Sequence, residues 1–158
     1  MGKLIGYINF IMKHFLNVIL AVLTISVFGQ VLFRFIIKQS LAWSEELAIY
    51  CLVWLTFLGA AYAMSLKAHI GVDFFTDLFP LRVRKIFFTL ASIASIIFYL
   101  IMIVQGYDLV KQSMAQLSPV MRIPMGWVYA VIPISGLFLI INLIYLFTKE
   151  IKAGGKMV

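Results

Sequence analysis

A chain of 158 residues that is 64% hydrophobic and only 12% charged, with a mean hydropathy of +1.08, has too little polar surface to cover a water-soluble core. Its formal net charge of +7 is scattered over short segments between apolar runs, which points to membrane orientation rather than to a nucleic-acid surface. The single cysteine, Cys51, excludes an intrachain disulfide and reads as a small apolar filler.

In chain order, residues 2–13 mix Lys3 and Lys13 with Leu4, Ile5, Tyr7, Ile8, Phe10 and Ile11. That pattern predicts a helix lying at the membrane surface, its lysines turned to water or headgroups. A first span is expected over residues 15–37, closed by Arg34 and Lys38. Its uncharged polar members, Asn17, Thr24, Ser26 and Gln30, can pair with neighbouring helices. The run has no small-x-small cleavage site, so it does not read as a cleaved leader.

A second span is expected over 44–66. Its uncharged run from Leu47 to Leu66 covers roughly 30 Å at 1.5 Å per residue, the thickness of a hydrocarbon core. Residues 68–80 then place His69, Asp73 and Asp77 on one face and Ile70, Phe74, Phe75, Leu78 and Phe79 on the other. This is the pattern of an amphipathic interfacial helix ended by Pro80. Arg82, Arg84 and Lys85 anchor the entrance of a third span over 84–108, near whose end Asp108 and Lys111 stand one turn apart. Pro124 suits the first turn of a fourth span over 125–148, with Pro133 inside it as a kink.

Four spans put both termini on one side. That side carries Lys3, Lys13, Lys67, Arg82, Arg84, Lys85, Lys149, Lys152 and Lys156; the other has Arg34, Lys38, Lys111 and Arg122. The positive-inside rule therefore places both termini in the cytoplasm. The expected fold is a single all-α membrane domain over residues 1–158.

Chemistry is sparse. At the start of the second span, Ser44 is placed to cap the helix, Glu45 and Glu46 to complement its positive end, and Trp43 to anchor it at the interface. The same residues can equally form a docking point. Glu46, Tyr50, Trp54, Phe57 and Ala61 fall on one helical stripe, for packing either within the chain or against a partner. Gly59 and Ala63 form a small-xxx-small pair that lets another helix approach closely. His69 and Asp73 lack the further strong ligands a metal site recruits. No Asp, Glu, Lys, Arg or His lies near the middle of any span, where an ion-coupled transporter or proton pump carries one. Nothing in the chain reads as a catalytic centre or a cofactor site, so it reads as a helper.

The pattern W-x-E-E (Trp43, Glu45, Glu46), then W-x-x-F-L-G-A-A-x-A (Trp54, Phe57, Leu58, Gly59, Ala60, Ala61, Ala63), then H-I-x-V-D and a later proline (His69, Ile70, Val72, Asp73, Pro80) resembles the small membrane subunit of tripartite ATP-independent periplasmic (TRAP) transporters. The entry I-P-M-G-W-V-Y, from Ile123 through Pro124 and Trp127 to Tyr129, with Pro133 beyond it, is similar to the same family. The resemblance implies a multi-pass protein of the bacterial inner membrane without cofactor. It also implies a scaffold for a large membrane subunit, as a heterodimer, in sodium-driven uptake of organic acids of the C4-dicarboxylate or sialic acid type. A periplasmic binding protein would deliver the substrate. Two other readings stand beside it. A four-helix homo-oligomeric drug exporter needs a membrane-embedded glutamate, and Glu45 and Glu46 lie close to a helix start. A respiratory-complex anchor would draw on His14 and His69.

Overall fold

The computed structural model describes residues 2–38, 41–66 and 81–152. Helix α1 runs from Gly2–Leu32 and continues through a π-helical turn, Phe33–Ile37, to Lys38, whose φ of 57° ends it in the left-handed region. Helix α2 is Ala42–Ser65, α3 is Leu81–Ser113, α4 is the short Met125–Tyr129 and α5 is Val131–Lys152. Four stretches are long and apolar enough to cross a membrane: Lys3–Ile37, Ala42–Ser65, Thr89–Ser113 and Met125–Thr148.

The helices pack as a row. α1 lies along α2, α2 along α5, and α5 along α3, with α1 also touching α5, so α1 and α3 form the two edges. The core gathers where α5 meets its neighbours: Met12 and Leu16 from α1, Leu58, Ala61 and Met64 from α2, Tyr99 from α3, and Val131, Leu139 and Leu143 from α5. Lipid tails are as apolar as leucine, so close packing and hydrogen bonds hold such helices together rather than removal of apolar surface from water. Glycines let α3 and α5 approach closely. A Cβ on Gly106 would stand 2.9 Å from the Ile132 side chain, and one on Gly136 would stand 2.7 Å from Ile103.

One polar knot joins three helices. The Asn142 amide of α5, buried, donates to the Ala61 carbonyl of α2 at 2.9 Å and to Asn9 Oδ1 of α1 at 3.2 Å; Asn9 Nδ2 donates back to Asn142 Oδ1 at 3.0 Å. Where no water competes, such interhelical bonds contribute about 0.6–2 kcal/mol each.

Several expectations change. Residues 2–13 are not a separate surface helix: they are the first turns of α1, continuous to Leu32, and Asn9 and Met12 pack into the bundle. An uninterrupted hydrogen-bonded rod cannot turn into the membrane plane without a break, and no helix-breaking residue lies near His14. The third apolar stretch is shifted toward Ser113, because Asp108 and Lys111 do not end α3; the Lys111 ammonium sits 4.4 Å from the centre of the Tyr107 ring. The fourth span breaks at Ala130, between α4 and α5. Pro133 lacks the N–H that would bond the Tyr129 carbonyl, which accounts for an interruption there. The segment 68–80 lies outside the described residues.

Candidate functional site

The most constrained polar site sits where α2 begins. Ser44 does not cap the helix; Leu41 holds the cap position with no side-chain bond, and Ser44 Oγ instead donates to the Ser26 carbonyl of α1 at 2.7 Å. An i→i+18 bond of this kind fixes the vertical register of α1 against α2. Two residues on, Glu46 points inward and is 8% exposed, whereas Glu45 is exposed.

The Glu46 carboxylate is met by the segment joining α3 to α4. There the chain doubles back: Ser118 N–H donates to the Ile123 carbonyl at 2.9 Å, Met125 N–H to the Gln116 carbonyl at 2.8 Å, and Leu117 faces Pro124 in an antiparallel bridge. Ile123 N–H donates to Ser118 Oγ at 3.0 Å, tightening the turn. Arg122 takes φ 55°, in the left-handed region, and the two residues before it aim consecutive N–H groups at one point. That geometry makes an anion-binding nest. Here the anion is internal: Glu46 Oε2 accepts from Val120 N–H at 3.0 Å and Met121 N–H at 2.9 Å. Glu46 Oε1 accepts the Tyr50 hydroxyl, and the Met125 sulfur lies 3.5 Å from the same phenolic oxygen.

Glu46 is therefore engaged on both oxygens by its own chain. It holds the α3–α4 turn down onto α2 and is not presented to a ligand. Charge-assisted bonds of this sort are roughly twice as strong as neutral ones. A glutamate held in this way is poorly suited to the alternating protonation and release an exporter's embedded carboxylate performs.

The other residues singled out by pattern divide by exposure. Tyr50, Trp54, Phe57 and Ala61 face the rest of this chain, with Trp54 edge-on to Phe15 at 6.1 Å between ring centres. Trp43 is 49% exposed and Trp127 is 63% exposed, both near the turn that Glu46 holds in sequence or in space. Pro124 is the N-cap residue of α4 rather than a member of its first turn. Gly59 is open: an added Cβ would find nothing within 4 Å, and Ala63 beside it is half-buried. Lys3 and Lys13 are exposed on α1. His69 and Asp73 lie outside the described residues, as do the side chains of Arg82, Arg84 and Lys85. Among the described residues no three His, Cys, Asp or Glu side chains converge.

Pattern reading passed over four contributors: Ser118, the consecutive N–H groups of Val120 and Met121, the Asn9–Asn142 pair, and Gly106 with Gly136. Asn142 carried a legible signal, an amide in the apolar run LFLIINLIYLF. The nest carried none, because backbone N–H groups have no residue type.

Residues 23–153 match the family described as tripartite ATP-independent periplasmic transporters, DctQ component. The chain is 27% identical over 136 residues to a sialic acid TRAP transporter permease protein, SiaT, of Haemophilus influenzae, covering 84% of this chain and 22% of that protein. It is 25% identical over 115 residues to an isethionate TRAP transporter permease protein, DctMQ, of Oleidesulfovibrio alaskensis, covering 72% of this chain and 18% of that one. With a putative TRAP transporter small permease protein of Haemophilus influenzae it shares 24% identity over 160 residues, covering 96% of this chain and 99% of the other. The chain thus spans about a fifth of the long relatives and nearly all of a short one.

Proposed function

This chain belongs to the DctQ component family of TRAP transporters, a family of transporter permease subunits rather than enzymes, and from that premise we propose that it is the stationary small subunit on which a larger permease chain is built. The observation that carries this reading is the coverage of the long relatives. In SiaT and DctMQ the stretch matching this chain is joined to a permease several times its length. Two parts made as one polypeptide in some members are expected to associate as separate chains in others.

The physical case is consistent with a scaffold. Among the described residues, Glu46 is tied to its own turn and the other Asp, Glu, Lys and Arg side chains of the apolar stretches lie toward a helix end, except Lys13, which stands exposed on α1 with no carboxylate partner. Such a chain has nothing with which to carry an ion, and a row of four helices presents broad faces to a neighbour. On this reading the large subunit holds the substrate and sodium sites and a periplasmic protein delivers an organic acid, of the sialic acid or C4-dicarboxylate type. On the same reading both termini face the cytoplasm of a bacterial inner membrane, and Trp43, Glu45 and Trp127 stand at the opposite surface, placed for docking. Lys3 and the basic sequence Arg82, Arg84 and Lys85 at the start of α3 belong to the cytoplasmic side on this reading, whereas Lys13 stands further along α1. Lipid and protein are its partners, not nucleic acid.

The test is reconstitution. Vesicles holding this chain with its large permease, given the binding protein, substrate and an inward sodium gradient, should accumulate substrate. Vesicles lacking either membrane chain should not. Accumulation by this chain alone, or undiminished accumulation without it, overturns the reading.

A further inference from the structure

We propose that the outward face of α1, centred on Asn17, is where a transmembrane helix of the larger permease seats; this rests on the subunit reading above and adds the place of contact. His14, Asn17, Ala21, Thr24, Phe28 and Val31 follow one another at alternating spacings of three and four, and all six are exposed. That is the seven-residue repeat along which two helices wrap. The face is free because α1 turns Met12, Leu16, Ile19 and Ser26 the other way, toward the bundle.

Asn17 identifies what covers it. Asn9 below is tied to Asn142, and the Ser26 carbonyl above is tied to Ser44, so both ends of this stretch of α1 are level with the spans beside it. Asn17 lies roughly midway between those ties, near mid-depth of the bilayer. Among the described residues its amide has no hydrogen-bond partner, whereas the nearby Thr24 hydroxyl satisfies itself on the Leu20 carbonyl at 2.8 Å. Hydrocarbon offers an amide neither donor nor acceptor, so a primary amide left facing lipid is costly. A helix bringing a polar group to that level removes the cost, and a single such amide in an apolar seam also sets register. Ala21, one turn on, lets the backbones come close, and two adjoining depressions meet at Thr24.

The opposite edge of the row shows what a lipid-facing surface looks like here. On α3 the exposed positions Leu90, Ile93, Ile97, Leu100, Ile101 and Val104 carry no polar atom beyond the backbone, and Gln105, an exposed amide of that helix, stands toward its Ser113 end rather than midway along it. As for the occupant, the single-chain relatives join one counterpart of this chain to one longer permease. That pairing supplies each copy of this chain with one foreign neighbour, and the edge helix whose mid-span amide lacks a partner is where the geometry points for it.

The experiment co-expresses this chain with the large membrane permease of its own transporter. N17L should lower the co-purified permease by about fivefold, the loss expected for one interhelical hydrogen bond in lipid. N17Q should keep it within about twofold, and the isolated N17L chain should melt no lower than the parent. A photo-crosslinking benzoylphenylalanine at Ala21 should capture the permease chain, and one at Ile97 should capture lipid. If the parent chain brings down no permease, the subunit reading itself fails and this inference with it. If the parent does so, but N17L is undiminished and Ala21 captures only lipid or a second copy of this chain, the α1 seam is wrong and the subunit reading stands.

Discussion

The α3–α5 contact and the outer face of α2 are both marked by glycine, and they behave in opposite ways. At Gly106 and Gly136 the missing side chain is used: a Cβ would run into Ile132 or Ile103 at under 3.0 Å, so the two helices meet almost backbone to backbone. At Gly59 the missing side chain leaves open space. In lipid, close approach is the main source of attraction between helices, so a filled glycine contact binds the chain to itself and an unfilled one is available to another. The same residue type therefore marks an internal weld on one side of the row and a vacant face on the other.

Substitutions that fill the space separate these roles. The largest effect is expected for Gly136→Leu, which must push Ile103 and the α3 backbone aside; overpacking of this kind costs about 3 kcal/mol, read as a lower melting temperature of the detergent-solubilised chain. Next comes Glu46→Ala, which strips the acceptor from the Val120 and Met121 amides. Those two amides should exchange hydrogen roughly tenfold faster, while the α3–α5 contact is undisturbed. Glu46→Gln, which keeps an acceptor oxygen, should fall between. Equal exchange in parent and Glu46→Ala would show that the turn holds itself.

A smaller loss, about 2 kcal/mol, is expected for Asn142→Leu, which removes three interhelical bonds at the lower end of their range. Adding Asn9→Leu should cost less than a second independent loss, because the reciprocal pair is already broken; strict additivity in that cycle would deny the coupling. Smallest is Gly59→Ala. With nothing to strike, it should stabilise the isolated chain by about 0.5 kcal/mol through helix propensity. A marked destabilisation there would mean that the α2 face is covered after all.

The helical elements were legible because their cause is local. Each span announces itself as an apolar run of bilayer length, and Pro133 marks the break near Ala130 by the N–H it lacks. The division between surface helix and span at residues 2–13 was not legible. Lys3 and Lys13 suggested a change of direction, but nothing near His14 breaks the hydrogen-bonded rod, and Asn9 finds its partner 133 residues away. Ser44 shows the same limit: its type fits a cap, and its position beside α1 offered the Ser26 carbonyl instead.

The order of residues alone determined that this is a four-span helical membrane chain of the TRAP small-subunit kind, because span length, charge placement and short motifs are properties of neighbours along the chain. Which way Glu46 points, which glycines are filled, and that α1 and α3 end up as the edges of a row were decided only in three dimensions. Each of those depends on a partner far off in sequence, and no local pattern says which distant group will arrive.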